Sequence, residues 1–230
     1  MFHYIKSECI KLKYSMEIFS TLFFIFIALV SKILIFMSKS NIGIQDRMKI
    51  QLAVMFMLIT LNTVILTNRS FYCEKEANYF WNILTSIHCY KVWFSKLFVL
   101  SLIEIFLFFI AQILGSLFVK NFSSINIIFL AISIQVILSI GIHMFLQVNY
   151  GDIVNVIVGI IEVILIVFST NIQMEHWYYF PCCYGYKICE FTEKISSKQW
   201  SMILVVTIGS IFLNMVFIPK KQGENHKFTR

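Results

Sequence analysis

Apolar runs of about 20 residues alternate along this chain with short polar breaks. Six runs stand out, at roughly 18–37, 50–67, 97–119, 125–147, 153–170 and 201–218. Each has the length a helix needs to cross the hydrocarbon core of a bilayer. Long unbroken runs predict an all-α integral membrane protein with six transmembrane helices. A membrane barrel would instead read as short segments of alternating hydrophobicity. The first run is too long for the apolar core of a signal peptide, and its exit, KILIFMSKSN, offers no small-residue cleavage site, so it is expected to be a retained helix. No internal repeat or low-complexity tract divides residues 1–230, which read as one domain.

Three breaks carry more pattern than a plain loop. Before the first run, FHYIKSECIKLKYSM places Ile5, Cys9, Leu12 and Met16 at spacings of 4, 3 and 4, one face of a helix, with Lys6, Lys11 and Lys13 off it. Residues 1–17 are therefore expected to lie as an amphipathic helix in the membrane interface. Between the second and third runs, CEKEANYFWNILTSIHCYKVWFSK sets the apolar row Tyr79, Phe80, Ile83, Leu84 and Ile87 against Glu74, Glu76, Lys91 and Lys96. This predicts a short two-faced helix over 74–90. Its acidic start suits a helix N-terminus and disfavours contact with anionic headgroups, so docking into a partner is preferred to lying on lipid. Before the sixth run, residues 171–200 hold the aromatic cluster Trp177, Tyr178, Tyr179 and Phe180, then Pro181, Tyr184 and Tyr186. They predict short interfacial or re-entrant helices broken at Pro181–Gly185.

Composition agrees. The 230 residues are 59% hydrophobic and only 13% charged, and mean hydropathy is +0.80. A soluble domain is about one quarter charged. The net charge of +7 comes from 19 basic residues. With both termini inside the cell, Lys6, Lys11, Lys13, Arg69, Lys75, Lys91, Lys96, Lys220, Lys221, Lys227 and Arg230 all fall on the cytoplasmic side, as the positive-inside rule asks. No basic helix or arm is long enough to bind nucleic acid. The six cysteines show neither CxxC pairs nor zinc-ligand spacing. Cys182, Cys183 and Cys189 lie close enough for an extracytoplasmic disulfide, but free thiols are the preferred reading. A GxxxxGK[ST] loop, HExxH and GxSxG are all missing. ATP is therefore not expected to bind here by a P-loop, and the chain is expected to be a non-enzyme with no cofactor of its own.

Polar residues inside the spans are the candidate chemistry, since intramembrane carboxylates face protein or water. In the fifth run Asp152, Asn155, Gly159 and Glu162 share one face at spacings of 3, 4 and 3. That face reads equally as a translocation surface or as hydrogen-bonding glue with a glycine for close approach. In the fourth run Gln135, Ser139, His143 and Gln147 recur every four residues, and Glu104 lies about two turns into the third. Both read as glue.

SECIKLKYS leading into the first span, EKEANYFWNILTS…WFSKL after the second, and an aromatic-Pro segment before the sixth together resemble permease subunits of ABC-2-type transporters. The likeness is greatest to the small permeases of lantibiotic-immunity and bacitracin-resistance exporters. Glu8, Lys11 and Lys13 match that family's entry helix; Glu76, Phe80 and Leu84 its acidic–aromatic–apolar segment; Ser95 and Lys96 the entry to the third span; and Tyr179–Pro181 the late aromatic-Pro segment. The family often has Gly shortly after the motif Glu, where this chain has Ala77 and Asn78. The resemblance implies that 74–90 is the coupling helix seated on a separate ATPase dimer, which would hold ATP and Mg. It also implies a second permease, identical or similar, a peptide substrate expelled from the membrane, and residence in a bacterial plasma membrane. The alternative is a polytopic sensor or regulatory subunit without transport, binding a ligand through 171–200. A membrane-embedded enzyme using Glu104, Glu162 and His143 ranks third, because the three lie on separate spans.

Overall fold

In a computed structural model of the chain, residues 2–13, 17–37, 43–76, 89–119, 125–171, 176–191 and 195–216 are described, and every regular element among them is helical. The α-helices are α1 (Phe2–Lys13), α2 (Glu17–Met37), α3 (Ile44–Glu76), α4 (Cys89–Val119), α5 (Ile125–Tyr150), α6 (Asp152–Asn171), α7 (Tyr184–Phe191) and α8 (Ser197–Val216). Two single 3-10 turns, Trp177–Tyr179 and Pro181–Cys183, precede α7. The chain is a multi-pass membrane protein: α2 to α6 each hold a stretch long and apolar enough to cross a bilayer. The apolar part of α8 is shorter, Ser197–Leu213, so the described residues give five spanning helices and not six.

Several helices outrun their apolar runs. α3 has 33 residues where the run had 18, because Asp46, Arg47, Lys49 and Arg69 continue it at both ends. Once backbone groups are saturated within a helix, a polar residue costs that helix little at a membrane edge. α5 and α6 are joined by Gly151 alone, at φ 87, with its N–H bonded to the Gln147 carbonyl at 3.2 Å. A side chain is strained in that left-handed conformation, so glycine is what allows so tight a reversal.

α3 and α5 form the middle of the bundle. α3 packs on α2, α5 and α6, while α5 packs on α3, α4, α6, α7 and α8. Of the apolar window of α3, 67% is buried, against 22% for α2 and 28% for α6. The outer helices turn Phe19, Phe23 and Phe26 (α2) and Ile153, Ile157, Ile160 and Ile164 (α6) outward. An apolar exterior of this kind is solvated by lipid.

Two sequence expectations change here. In α1, Ile5 of the apolar row packs against the core, but Glu8 is buried while Cys9 is exposed, so the packed side combines part of that row with a charge pair. Leu12 and Met16 of that row are not described at side-chain level. In the late segment the chain does break at Pro181, but Gly185 lies inside α7, past the break. A Cβ at Gly185 would run into the Phe56 ring, so the glycine serves close helix approach. α7 also reaches deep. Gly185 N–H donates to Gln135 Oε1 at 3.0 Å, and Gln135 lies about 15 Å along α5 from its start. Tyr184, Tyr186 and Cys183 are fully buried there. Residues 177–191 thus plug one end of the bundle, and Lys49 of α3 lies 3.5 Å from Glu190.

Candidate functional site

The site starts from hydroxyls that an apolar helix can carry. Thr60, Thr63 and Thr67 of α3 each donate to the carbonyl one turn back, at 3.1, 2.9 and 2.8 Å. Thr60 and Thr67 thereby keep their hydrogens within the helix, while Glu104 also approaches the Thr63 hydroxyl. Asn62 and Asn68 flank them. Three other helices turn their polar faces to this stripe.

From α6 comes Asn155, fully buried, donating through Nδ2 to Asn68 Oδ1 at 2.6 Å and to Thr67 Oγ1 at 3.1 Å. Its Oδ1 lies 2.6 Å from His143 Nδ1 of α5. The other ring nitrogen, Nε2, lies 3.1 Å from Glu162 Oε2 of α6. Gly159 lies between these partners on α6. A Cβ there would collide with Val64 and come within 3.6 Å of His143 Cε1. The glycine lets α6 close onto α3 and α5 at the level of the polar groups. Asp152 accepts from Gln147 at the α5–α6 reversal.

From α4 comes Glu104, with no exposed surface. Asn62 Nδ2 donates to it at 2.9 Å, and Thr63 Oγ1 lies 3.0 and 3.1 Å from its two oxygens. Glu104 also acts electrostatically on His143. The groups from Asn62 to Asn68, with Glu104, His143, Asn155 and Glu162, therefore form one polar seam through an apolar bundle.

Of the proposed translocation residues, Asn155, Gly159 and Glu162 come together in this seam, and Asp152 stands at its edge. Of the α5 stripe, His143 joins it, while Gln135 holds α7 and Gln147 holds Asp152. The side chains of the proposed coupling residues are not described. Glu74 and Glu76 belong by backbone to the last turn of α3, which corrects the reading of them as the first turn of a separate helix. Tyr79, Phe80, Ile83, Leu84 and Ile87 lie outside the described residues. The partners on α3 escaped sequence reading, although Thr60, Thr63 and Thr67 at helical spacing inside an apolar run were a visible signal.

Of the buried lysines, Lys32 is one that the sequence reading missed, and Lys96 one that it placed at the entry to the third span without its partners. Lys32, the cation inside the first span, donates to Ser116 Oγ at 2.8 Å and the Gln112 carbonyl at 3.2 Å, with Gly115 making room for its stem. Lys96 sits where α1, α3 and α4 meet. It donates to Ser70 Oγ at 2.7 Å and the Ser70 carbonyl at 3.1 Å, and lies 3.8 Å from Glu8 Oε2. It also lies over the Phe71 ring, which stacks on Trp93 with centroids 5.0 Å apart.

At the plugged end Cys182, Cys183 and Cys189 are free thiols. Burial pushes Cys189 and Tyr184 each up to about 12, so both stay protonated. Among the described residues no group of three or more His, Cys, Asp or Glu could hold a metal ion. A separate recess of about 500 Å³ between α4, α5 and α8 is lined by Phe98, Leu102, Phe106, Phe129 and Ile137, with Ser101 and Ser133 as its polar members. It offers little for chemistry.

Comparison with protein-family models, with curated proteins and with solved structures found no match to this chain.

Proposed function

We propose that this chain is the permease subunit of an ABC exporter, with α8 as its sixth span and both termini cytoplasmic. The nucleotide would be hydrolysed by a separate ATPase dimer that grips residues 74–90. A second permease, identical or similar, would complete the membrane domain, and the cargo would be an antimicrobial peptide expelled from a bacterial membrane. The motif resemblance stands behind the family.

The observation that carries the reading is the Lys96 clasp. It fastens the end of α3, the start of α4 and the N-terminal helix α1 to one another, immediately at the two roots of segment 74–90. α3 and α4 touch each other little elsewhere and are otherwise joined mainly through their shared neighbours α2 and α5. Force applied to the segment would pass through this junction into α3, and so into the seam that α3 shares with α5 and α6. The fifth-span face of Asp152, Asn155, Gly159 and Glu162 would then be the surface along which the bundle opens.

The test is to tag the chain in its native host, solubilise it in mild detergent and identify its stoichiometric partners. An ATPase is expected, and Leu84→Asp should abolish its recovery while membrane insertion stays normal. A chain that purifies alone, or with a sensor kinase, would overturn the reading in favour of a regulatory subunit.

A further inference from the structure

The hydrogen-bond partners of His143 carry an inference about which ion this bundle binds. Asn155 spends both amide hydrogens on α3, donating to Thr67 Oγ1 and Asn68 Oδ1. What it turns to the ring is its carbonyl oxygen, 2.6 Å from Nδ1. An oxygen with only lone pairs requires a hydrogen on Nδ1. A neutral imidazole has a single N–H, so its Nε2 would offer a lone pair to Glu162 Oε2 at 3.1 Å. A carboxylate oxygen and a bare ring nitrogen cannot sit at that distance in an apolar bundle without a proton between them.

We propose that the His143–Glu162 contact is a buried proton-binding site whose occupancy latches α6 onto α5 and, through Asn155, onto α3. The proton sits on Nε2 or on Oε2. In either form the pair holds one proton more than a neutral ring beside an ionised carboxylate. When the proton leaves, a full negative charge faces a lone pair, and α6 separates from α5 at this level. The parting helix can take Glu162 with it, because that residue lies at the rim of the buried region, 8% exposed, whereas His143 is fully enclosed.

Among the described residues the surroundings supply no competing cation. From α4, Glu104 is the second carboxyl acting on the ring. From α6, Asp152 is engaged by Gln147. From segment 177–191, the thiols of Cys182 and Cys183 feel the Glu162 carboxyl, while Lys187 acts on Cys183 and bonds Glu190. The α3 groups facing the site, Thr63, Thr67, Asn155's partner Asn68 and Asn62, are neutral, and α8 brings Ser210 beside Gly141. The inference rests on this geometry alone and does not depend on the transporter reading.

The sign follows from proton counting. In an unfolded chain the histidine gives up its proton near its ordinary value of about 6.5. Above that pH the latched state holds the extra proton, so latching weakens as pH rises. The ratio of latched to unlatched forms falls by about tenfold per pH unit while only the latched form keeps the proton, and levels off once the site empties.

The experiment uses the full chain in lipid nanodiscs, with 15N-labelled histidine and 13C-labelled glutamate. The other four histidines, His3, His88, His176 and His226, are replaced by Gln, so His143 gives the only ring signals. At pH 7.5 we expect either two protonated ring nitrogens, or one protonated nitrogen with Glu162 carrying the acid proton. A neutral ring beside an ionised Glu162 overturns the proposal. Spin labels at Leu130 (α5) and Ile164 (α6), both exposed, report the latch. Their separation should lengthen as pH rises from 6 to 9 in the wild type. In Glu162→Gln it should stay constant, because an amide can donate to a bare Nε2 without an extra proton. A wild-type distance that ignores pH while the NMR shows the proton leaving would sink the latch.

Discussion

Glu104 and Glu162 are the same residue type, each buried in a spanning helix, and the bundle treats them differently. Glu104 has no exposed surface and is met by neutral groups, the Asn62 amide and the Thr63 hydroxyl. Thr63 has one hydroxyl hydrogen, which the Ile59 carbonyl and Glu104 both approach. A protonated Glu104 would supply its own hydrogen and satisfy both. Glu162 is met by a titratable ring and stands at the rim of the core. A carboxyl hydrogen-bonded by fixed amides and hydroxyls has no titratable partner with which to share a proton, and serves packing. A carboxyl that shares a proton with a histidine has two states and can serve motion. The partner decides the role, and it comes from another helix in both cases.

The largest effect should come from stripping the static carboxyl. Glu104→Leu leaves the Asn62 amide without its acceptor in a dry site and should cost about 3 kcal/mol, read as thermal unfolding in detergent. Glu104→Gln keeps an acceptor and should cost about 1 kcal/mol. Equal losses in the two variants would erase the static half of the contrast.

Asn155→Ala comes next. It removes the acceptor of His143 Nδ1 and the donor to Asn68 together, with an expected loss of about 2 kcal/mol. Gly159→Ala should cost about 1 to 2 kcal/mol, because its methyl meets Val64. Val64→Ala in the same chain should return part of that loss, and a purely additive double variant would show that the α3–α6 approach is looser than drawn.

The smallest effect is the most discriminating. Wild-type unfolding stability should fall with rising pH by about 1 kcal/mol per unit above about pH 6.5 while the folded bundle keeps the latch proton, and level off where the latch empties. Glu104→Gln should keep that slope and Glu162→Gln should flatten it. A slope that follows Glu104 would reverse the assignment of static and mobile carboxyls.

Much of this was legible in the sequence. The apolar runs of α2 to α6, the helix break at Pro181 and the shared face of Asn155, Gly159 and Glu162 all follow from local spacing, because lipid demands long apolar helices and a helix repeats its face every 3.6 residues. The sixth run shows where that reasoning stops: the described apolar part of α8 ends at Leu213.

The sequence by itself determined that the chain lives in a membrane, that its spans are helical, and which residues share a face on each helix. These are properties of single segments in a known solvent. Only the tertiary structure decided that Glu162 meets His143 while Glu104 meets Asn62 and Thr63, that Gly185 makes room for Phe56, and that Lys96 ties α1, α3 and α4 together. Such pairings depend on how helices distant in sequence are rotated and stacked, a choice made by the fit of many side chains at once, which no periodicity along one helix encodes.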